Sequence, residues 1–323
     1  MKYGAWIHTG DDLSVDDQLG AASASGISAI RSYSLSYAER AAPALRDAGV
    51  RLLAGMHIDA AELVQDWRSQ VRLDDLARYH ELDVPLDAIC VGNELREGGD
   101  APDQKRFTAR LSFGLANVLD VYRRWLDDHD LNTPLTYAME GIVLDGEGQF
   151  YEWLWPLVDA CDSIGLNLYP MGHEEWFGYG AFEESRRFLQ EPRVRHDRLA
   201  LFELHLRRVL AEVSALGKRL ILTETGFPSA IGYHIEDGKW VIPQHDTESY
   251  GRVMAEFLGR IRQASRDYDG VIQSLYFYEW RDNLHHAKIW NVEQSPIHVA
   301  FGLCDREGKP KFDIAALLRE DAA

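Results

Sequence analysis

Two glutamates close apolar runs. Ile89-Cys90-Val91-Gly92-Asn93 leads into Glu94, and Leu220-Ile221-Leu222-Thr223 leads into Glu224. A carboxylate at the end of a buried strand is costly unless it is paired or used. Alone, each has a plain structural reading as a side chain bonded to loop amides. Together they suggest two carboxyl groups facing one another across a single site. Such a pair divides labour when its environments differ: one group stays protonated as general acid/base and the other stays ionised as nucleophile. At about 5–5.5 Å apart, the pair suits double displacement at a glycosidic carbon with retention of configuration.

The elements that must hold this pair are legible as an alternation of strand-like and helix-like segments. Strands are expected near 2–8, 27–34, 50–58, 87–94, 134–140, 161–169, 218–224 and 270–280. They are short, rich in Ile, Leu, Val and Tyr, and bounded by Gly, Asp or Pro. Amphipathic stretches such as 105–127 and 246–266 separate them. Ser14-Val15-Asp16-Asp17 and Asp246-Thr247-Glu248 read as helix starts. Eight strand–helix repeats predict an α/β fold, a closed (β/α)8 TIM barrel forming one catalytic domain over 1–323. An open doubly wound sheet is the alternative, but no Gly-rich phosphate loop follows the first strand. Long connections are expected after strand six (171–197), strand seven (229–245) and strand eight (281–305), all on the face where barrels build their sites. On this plan Glu94 ends strand four and Glu224 ends strand seven.

Composition narrows the partners. Hydrophobic residues make up 46% and charged residues 27%, the balance of an ordinary globular protein. There are 34 basic and 52 acidic residues, a net charge of −18, which disfavours nucleic acid and anionic membrane as partners. Only seven of the basic residues are Lys, which fits salt adaptation or a GC-rich genome. Cys90, Cys161 and Cys304 form no CxxC pair, so reduced thiols are expected. The first residues read as a strand rather than an export signal, and no run approaches the ~18 apolar residues of a membrane span. The expectation is a cytoplasmic monomer, with a trimmed export signal as the alternative. No cofactor motif appears. His285-His286 with His298 lacks usual ligand spacing, so no metal is expected.

Val91-Gly92-Asn93-Glu94 and Thr223-Glu224-Thr225-Gly226-Phe227-Pro228-Ser229 resemble glycoside hydrolase family 17, the β-1,3-glucanase and glucan glucosyltransferase group of clan A. Other pieces fit in order: Arg31-Ser32-Tyr33, Asn167-Leu168-Tyr169-Pro170, the aromatic-rich Tyr276 to Trp280, and Gly302-Leu303 with Pro310-Lys311. The resemblance spans nearly the whole chain. It departs at Phe227, where the family has Trp, and in the insert after strand six. It implies that Glu94 is the acid/base and Glu224 the nucleophile of a retaining β-glycosidase acting on β-1,3-linked or related gluco-oligosaccharides.

Physical roles follow for the neighbours. Arg31 and Tyr33, two apart, share a strand side. Arg31 suits holding Glu224 charged, and Tyr169 suits donating a hydrogen bond to it. Asn93 is placed to bond a sugar 2-hydroxyl, a contact that strengthens in an oxocarbenium-like transition state. For Arg31 the structural alternative is an ion pair under the barrel mouth, and for Tyr169 a core aromatic. Glu279 and Trp280 leave strand eight as further sugar contacts. Aromatics crowd the inserts (Trp176, Phe177, Tyr179, Phe182, Tyr233, Trp240, Trp290), where Trp176 and Trp240 are candidate subsite walls and local packing is the alternative. Walls of this kind favour short oligosaccharides over a polymer. His8, His57 and Asp59, near strand ends one and three, bond sugar hydroxyls or simply cap strands. Transglycosylation by the same site is one competing reading, and a non-catalytic sugar-binding barrel is another.

Overall fold

The computed structural model of the 323-residue chain describes residues 1–7, 15–98, 105–141, 143–145, 147–171, 178–237, 240–284 and 296–319. Eight parallel strands close a barrel: β1 (Lys2–Trp6), β2 (Ala29–Arg31), β3 (Arg51–Met56), β4 (Leu86–Asn93), β5 (Leu135–Glu140), β6 (Ser163–Asn167), β7 (Arg219–Thr225) and β8 (Ile272–Phe277). Each pairs with its neighbours in sequence, and β8 returns to β1 with Ala5 opposite Phe277. Helices follow every strand and cover the outside, which makes the chain a (β/α)8 barrel as expected.

The barrel closes because its interior residues are small where strands crowd. Ala29, Leu53, Ala88, Cys90, Ala138, Ile221 and Tyr276 form the apolar layer inside. Asp87 seals the floor, accepting from Lys2 Nζ at 2.7 Å, from Tyr276 Oη at 2.8 Å and from Arg51 Nε. The upper ends are less regular. Register shifts fall between Cys90 and Asn93, between Leu166 and Asn167, and between Leu275 and Phe277. Such irregularities re-aim side chains at the end of a strand.

Helix starts are set by side-chain caps. Asp246 accepts from Ser249 N at 3.0 Å to open Thr247–Asp267, as its sequence predicted. Asp59 does the same for Ala60–Gln65 through Glu62 N at 2.9 Å, so its observed role is a helix cap. The first helix begins at Val15, and the expected cap at Ser14 lies outside the described residues.

The connections after β6, β7 and β8 carry structure of their own. The expected long loop 171–197 is helical from Gly180 to Gln190, and Pro192 starts a second helix that runs to Ala215. After β7, Ala230–Glu236 and Trp240–His245 form an antiparallel hairpin. The two inserts pack on one another: Tyr233 stacks on Tyr179 and meets Phe182, each with ring centroids 4.7 Å apart. A buried polar knot fixes the hairpin base. Lys311 Nζ donates to Asp282 Oδ1 at 2.7 Å, to Ser229 Oγ at 2.8 Å and to the Gly302 carbonyl at 2.7 Å, while His245 Nδ1 meets Ser229 Oγ at 2.8 Å.

Candidate active site

Glu94 stands one residue beyond β4 on a tight turn. Gly92 has φ 84° and Glu94 itself φ 45°, so the turn needs two left-handed residues. At Gly92 a Cβ would also come within 3.3 Å of Leu95 and Tyr137, which makes glycine the fitting residue there. The turn is pinned to β5: Glu94 N–H donates to the Ala138 carbonyl at 3.0 Å, and Leu95 N–H donates to Tyr137 Oη at 2.7 Å. A non-glycine residue held at positive φ is costly and persists when its surroundings fix it.

Glu224 sits inside the last turn of β7 and receives three side-chain donors. Arg31 Nη1 and Tyr33 Oη both reach Oε1 at 2.7 Å, and Tyr169 Oη reaches Oε2 at 2.7 Å. Arg31 is only 1% exposed, so this ion pair is little screened by solvent. The strand end is fixed by Leu168 N–H on the Glu224 carbonyl at 3.0 Å. Gly226, at φ 144°, then lets the chain pass β8, where a Cβ would lie 3.0 Å from the Tyr278 carbonyl.

A relay of side chains joins the two carboxylates. Asn167, in register with Glu224, donates from Nδ2 to Glu94 Oε1 at 2.9 Å and to Asn93 Oδ1 at 3.0 Å. Its Oδ1 accepts from Thr223 Oγ1 at 2.6 Å, which fixes the amide orientation. Asn93 Oδ1 also accepts from Arg31 Nη2 at 2.9 Å. Both partners of Asn93 are donors, so its Oδ1 faces them and its Nδ2 is left to donate. The network runs Glu94–Asn167–Asn93–Arg31–Glu224 without a break. Desolvation, and then the charge of Glu224, push Glu94 up to about 7, against the single hydrogen bond from Asn167.

Beside the network lies a cavity of about 260 Å³ lined by Arg31, Tyr33, Met56, His57, Asn93 and Leu95, among others. Trp6 stacks on Tyr278 at 5.4 Å and meets Tyr33 edge-on at 5.3 Å, so an aromatic wall continues from Tyr33. On the β5 side, Arg96 pairs with Glu140 through Nη2 and Oε1.

The structure therefore brings together six of the residues expected from sequence: Glu94, Glu224, Arg31, Tyr33, Asn93 and Tyr169. Glu279 and Trp280, two other expected contacts, are buried beyond the end of β8. Glu279 has no exposed surface, and its main chain pairs with Phe301 and Leu303. Trp280 is 2% exposed within the apolar core. The chain bends at Tyr278, just past β8, and the Tyr278 ring stacks on Trp6, the neighbour of Tyr33. Trp240 pairs with Glu236 at the far end of the hairpin from the Ala230–His245 pair. Trp176, Phe177, His8, His285, His286 and Trp290 lie outside the described residues. Sequence reasoning missed Asn167 as the link, although it stood in a quoted motif, and missed Trp6 and Tyr278. Among the described residues, no helix is long and apolar enough to cross a membrane.

The fold is similar to that of an endo-laminarinase from Formosa Hel1_33_131, with 17% identity, a TM-score of 0.65, and coverage of 99% of this chain and 87% of that one. It is also similar to a β-glucuronidase from Ruminococcus gnavus, with 15% identity, a TM-score of 0.64, and coverage of 99% and 49%. The chain thus spans about half the length of the glucuronidase. At these identities the likeness is one of fold. No family model and no curated protein matches the sequence.

Proposed function

We propose that the chain is a retaining β-glycosidase that cleaves β-1,3-linked or related gluco-oligosaccharides, with Glu94 as acid/base and Glu224 as nucleophile. The observation that carries this reading is the unequal bonding of the two carboxyls. Glu224 takes three donors, including a buried guanidinium, whereas Glu94 takes one amide and is pushed up to about 7. One is thus held in place by three donors, as an attacking group needs, and the other is set to carry a transferable proton. The motif resemblance and the fold shared with an endo-laminarinase support β-linked glucose as the first substrate to test.

In the first step a Glu224 carboxylate oxygen attacks the anomeric carbon. The glycosidic C–O bond breaks, and the Glu94 proton passes to the leaving oxygen. Asn93 Nδ2 donates to the 2-hydroxyl as positive charge develops on the sugar. In the second step Glu94, now a carboxylate, takes a proton from water. That water attacks the anomeric carbon and releases Glu224.

Proton NMR of the first-formed product tests the stereochemistry. The β-anomer should appear first and then mutarotate. First appearance of the α-anomer would mean inversion, which needs carboxyl groups at least about 6.5 Å apart.

A further inference from the structure

The strand end that carries Glu94 is bridged, two residues further on, by opposite charges. Glu94 N–H is bonded to the Ala138 carbonyl at 3.0 Å, tying β4 to β5. Two residues past Glu94, beyond the turn, Arg96 forms an ion pair with Glu140 at the end of β5, the side chains being 26% and 43% exposed. The pair lies on the β5 side, near enough for both charges to act on Glu94. The cavity lined by Arg31, Tyr33, His57 and Asn93 lies on the opposite, β2–β4 side. A half-exposed ion pair contributes little to folding, so stability alone gives no reason for it.

We propose that Arg96 and Glu140 form the subsite for the leaving sugar, and that they make the site select a saccharide over an apolar leaving group. This rests on the reading of Glu94 as the acid/base. Glu94 delivers its proton to the leaving oxygen, so the leaving group must lie against Glu94. The glycone must lie against Glu224, whose donors Arg31 and Tyr33 come from the β2 side, which leaves the β5 side of Glu94 for the departing unit. A guanidinium offers paired N–H donors and a carboxylate offers paired acceptors, and adjacent hydroxyls on a pyranose answer both. An aryl or alkyl group answers neither. Among the described residues, the charged and titratable groups that act on Glu94 or are acted on by it are Glu224, Tyr137, Tyr169, Glu140 and Arg96. Glu140 and Arg96 act on it in opposite senses.

The test compares two substrates with the same glucosyl glycone: 4-nitrophenyl β-glucoside, and the best-cleaved of the β-1,2-, 1,3-, 1,4- and 1,6-linked glucose disaccharides. Arg96→Ala and Glu140→Ala should each lower kcat/KM on the disaccharide by about tenfold or more, the loss of a hydrogen bond to substrate, and leave the aryl glucoside within a few-fold. The retained aryl activity shows that the variants fold. Glu140→Gln, which keeps one acceptor, should recover part of the disaccharide activity. Equal losses on both substrates, or no loss on either, would overturn the assignment. If the unaltered enzyme cleaves neither substrate, the glycosidase reading itself falls, and the subsite with it.

Discussion

The side-chain amide of Asn167 donates to Glu94 Oε1 at 2.9 Å, and Asn167 is the residue that lies in register with Glu224. The acid/base candidate is thereby oriented from the strand next to the nucleophile candidate. A displacement of β6 against β7 would disturb both carboxylates at once, because Arg31 also reaches Asn167, Asn93 and Glu224 with one guanidinium.

Glycosylation needs Glu94 protonated, so kcat/KM should fall as pH rises through about 7. The Asn167 amide favours the ionised form of Glu94. Its removal in Asn167→Ala should raise that pKa and move the basic limb to higher pH, while lowering the maximal kcat/KM by about 10²-fold. A pH–rate profile of both proteins decides the sign. A limb that stays in place or moves to lower pH would show that Asn167 does not bond the catalytic acid.

Glu94→Ala removes the proton donor and leaves the nucleophile. Its loss of activity should be greatest on sugars with poor leaving groups and small on activated aryl glycosides, whose departure needs little protonation. The measurement is kcat/KM across leaving groups of different acidity. A uniform loss along that series would remove Glu94 from the acid role.

Lys311 is 7% exposed overall and its ammonium holds Asp282, Ser229 and two carbonyls together. Lys311→Met should cost about 3–5 kcal/mol, because Asp282 would be left buried without its partner. Urea unfolding at neutral pH measures this. A cost below about 1 kcal/mol would mean that the knot is dispensable for the fold.

The barrel and most of the site were legible because both depend on strand patterning. Apolar runs ending in Glu94 and Glu224 marked two strands and their functional ends, and Arg31 with Tyr33 followed from an alternation of two. What failed to show depends on the path of the chain beyond the strands. Glu279 and Trp280 follow a turn after Phe277, so alternation no longer says which way they face. Tyr278 and Trp6 read as ordinary strand aromatics until the ring stacking places them beside Tyr33. The helix Gly180–Gln190 has no clear signature in the sequence, because glycines precede it and Pro192 interrupts its pattern. The link made by Asn167 needs a register shift at Thr223 of β7 that has no sequence signature.

The central claim is that Glu224 bonds covalently to the sugar during turnover. An activated 2-deoxy-2-fluoro-β-glucoside forms the glycosyl ester faster than the ester hydrolyses, so the adduct accumulates. Peptide mass spectrometry should then find one fluoro-sugar on the peptide that contains Glu224, and fragmentation should place it on that side chain. A label on Glu94 or on any other residue, or steady cleavage of β-glucosides with no label at all, would contradict the account.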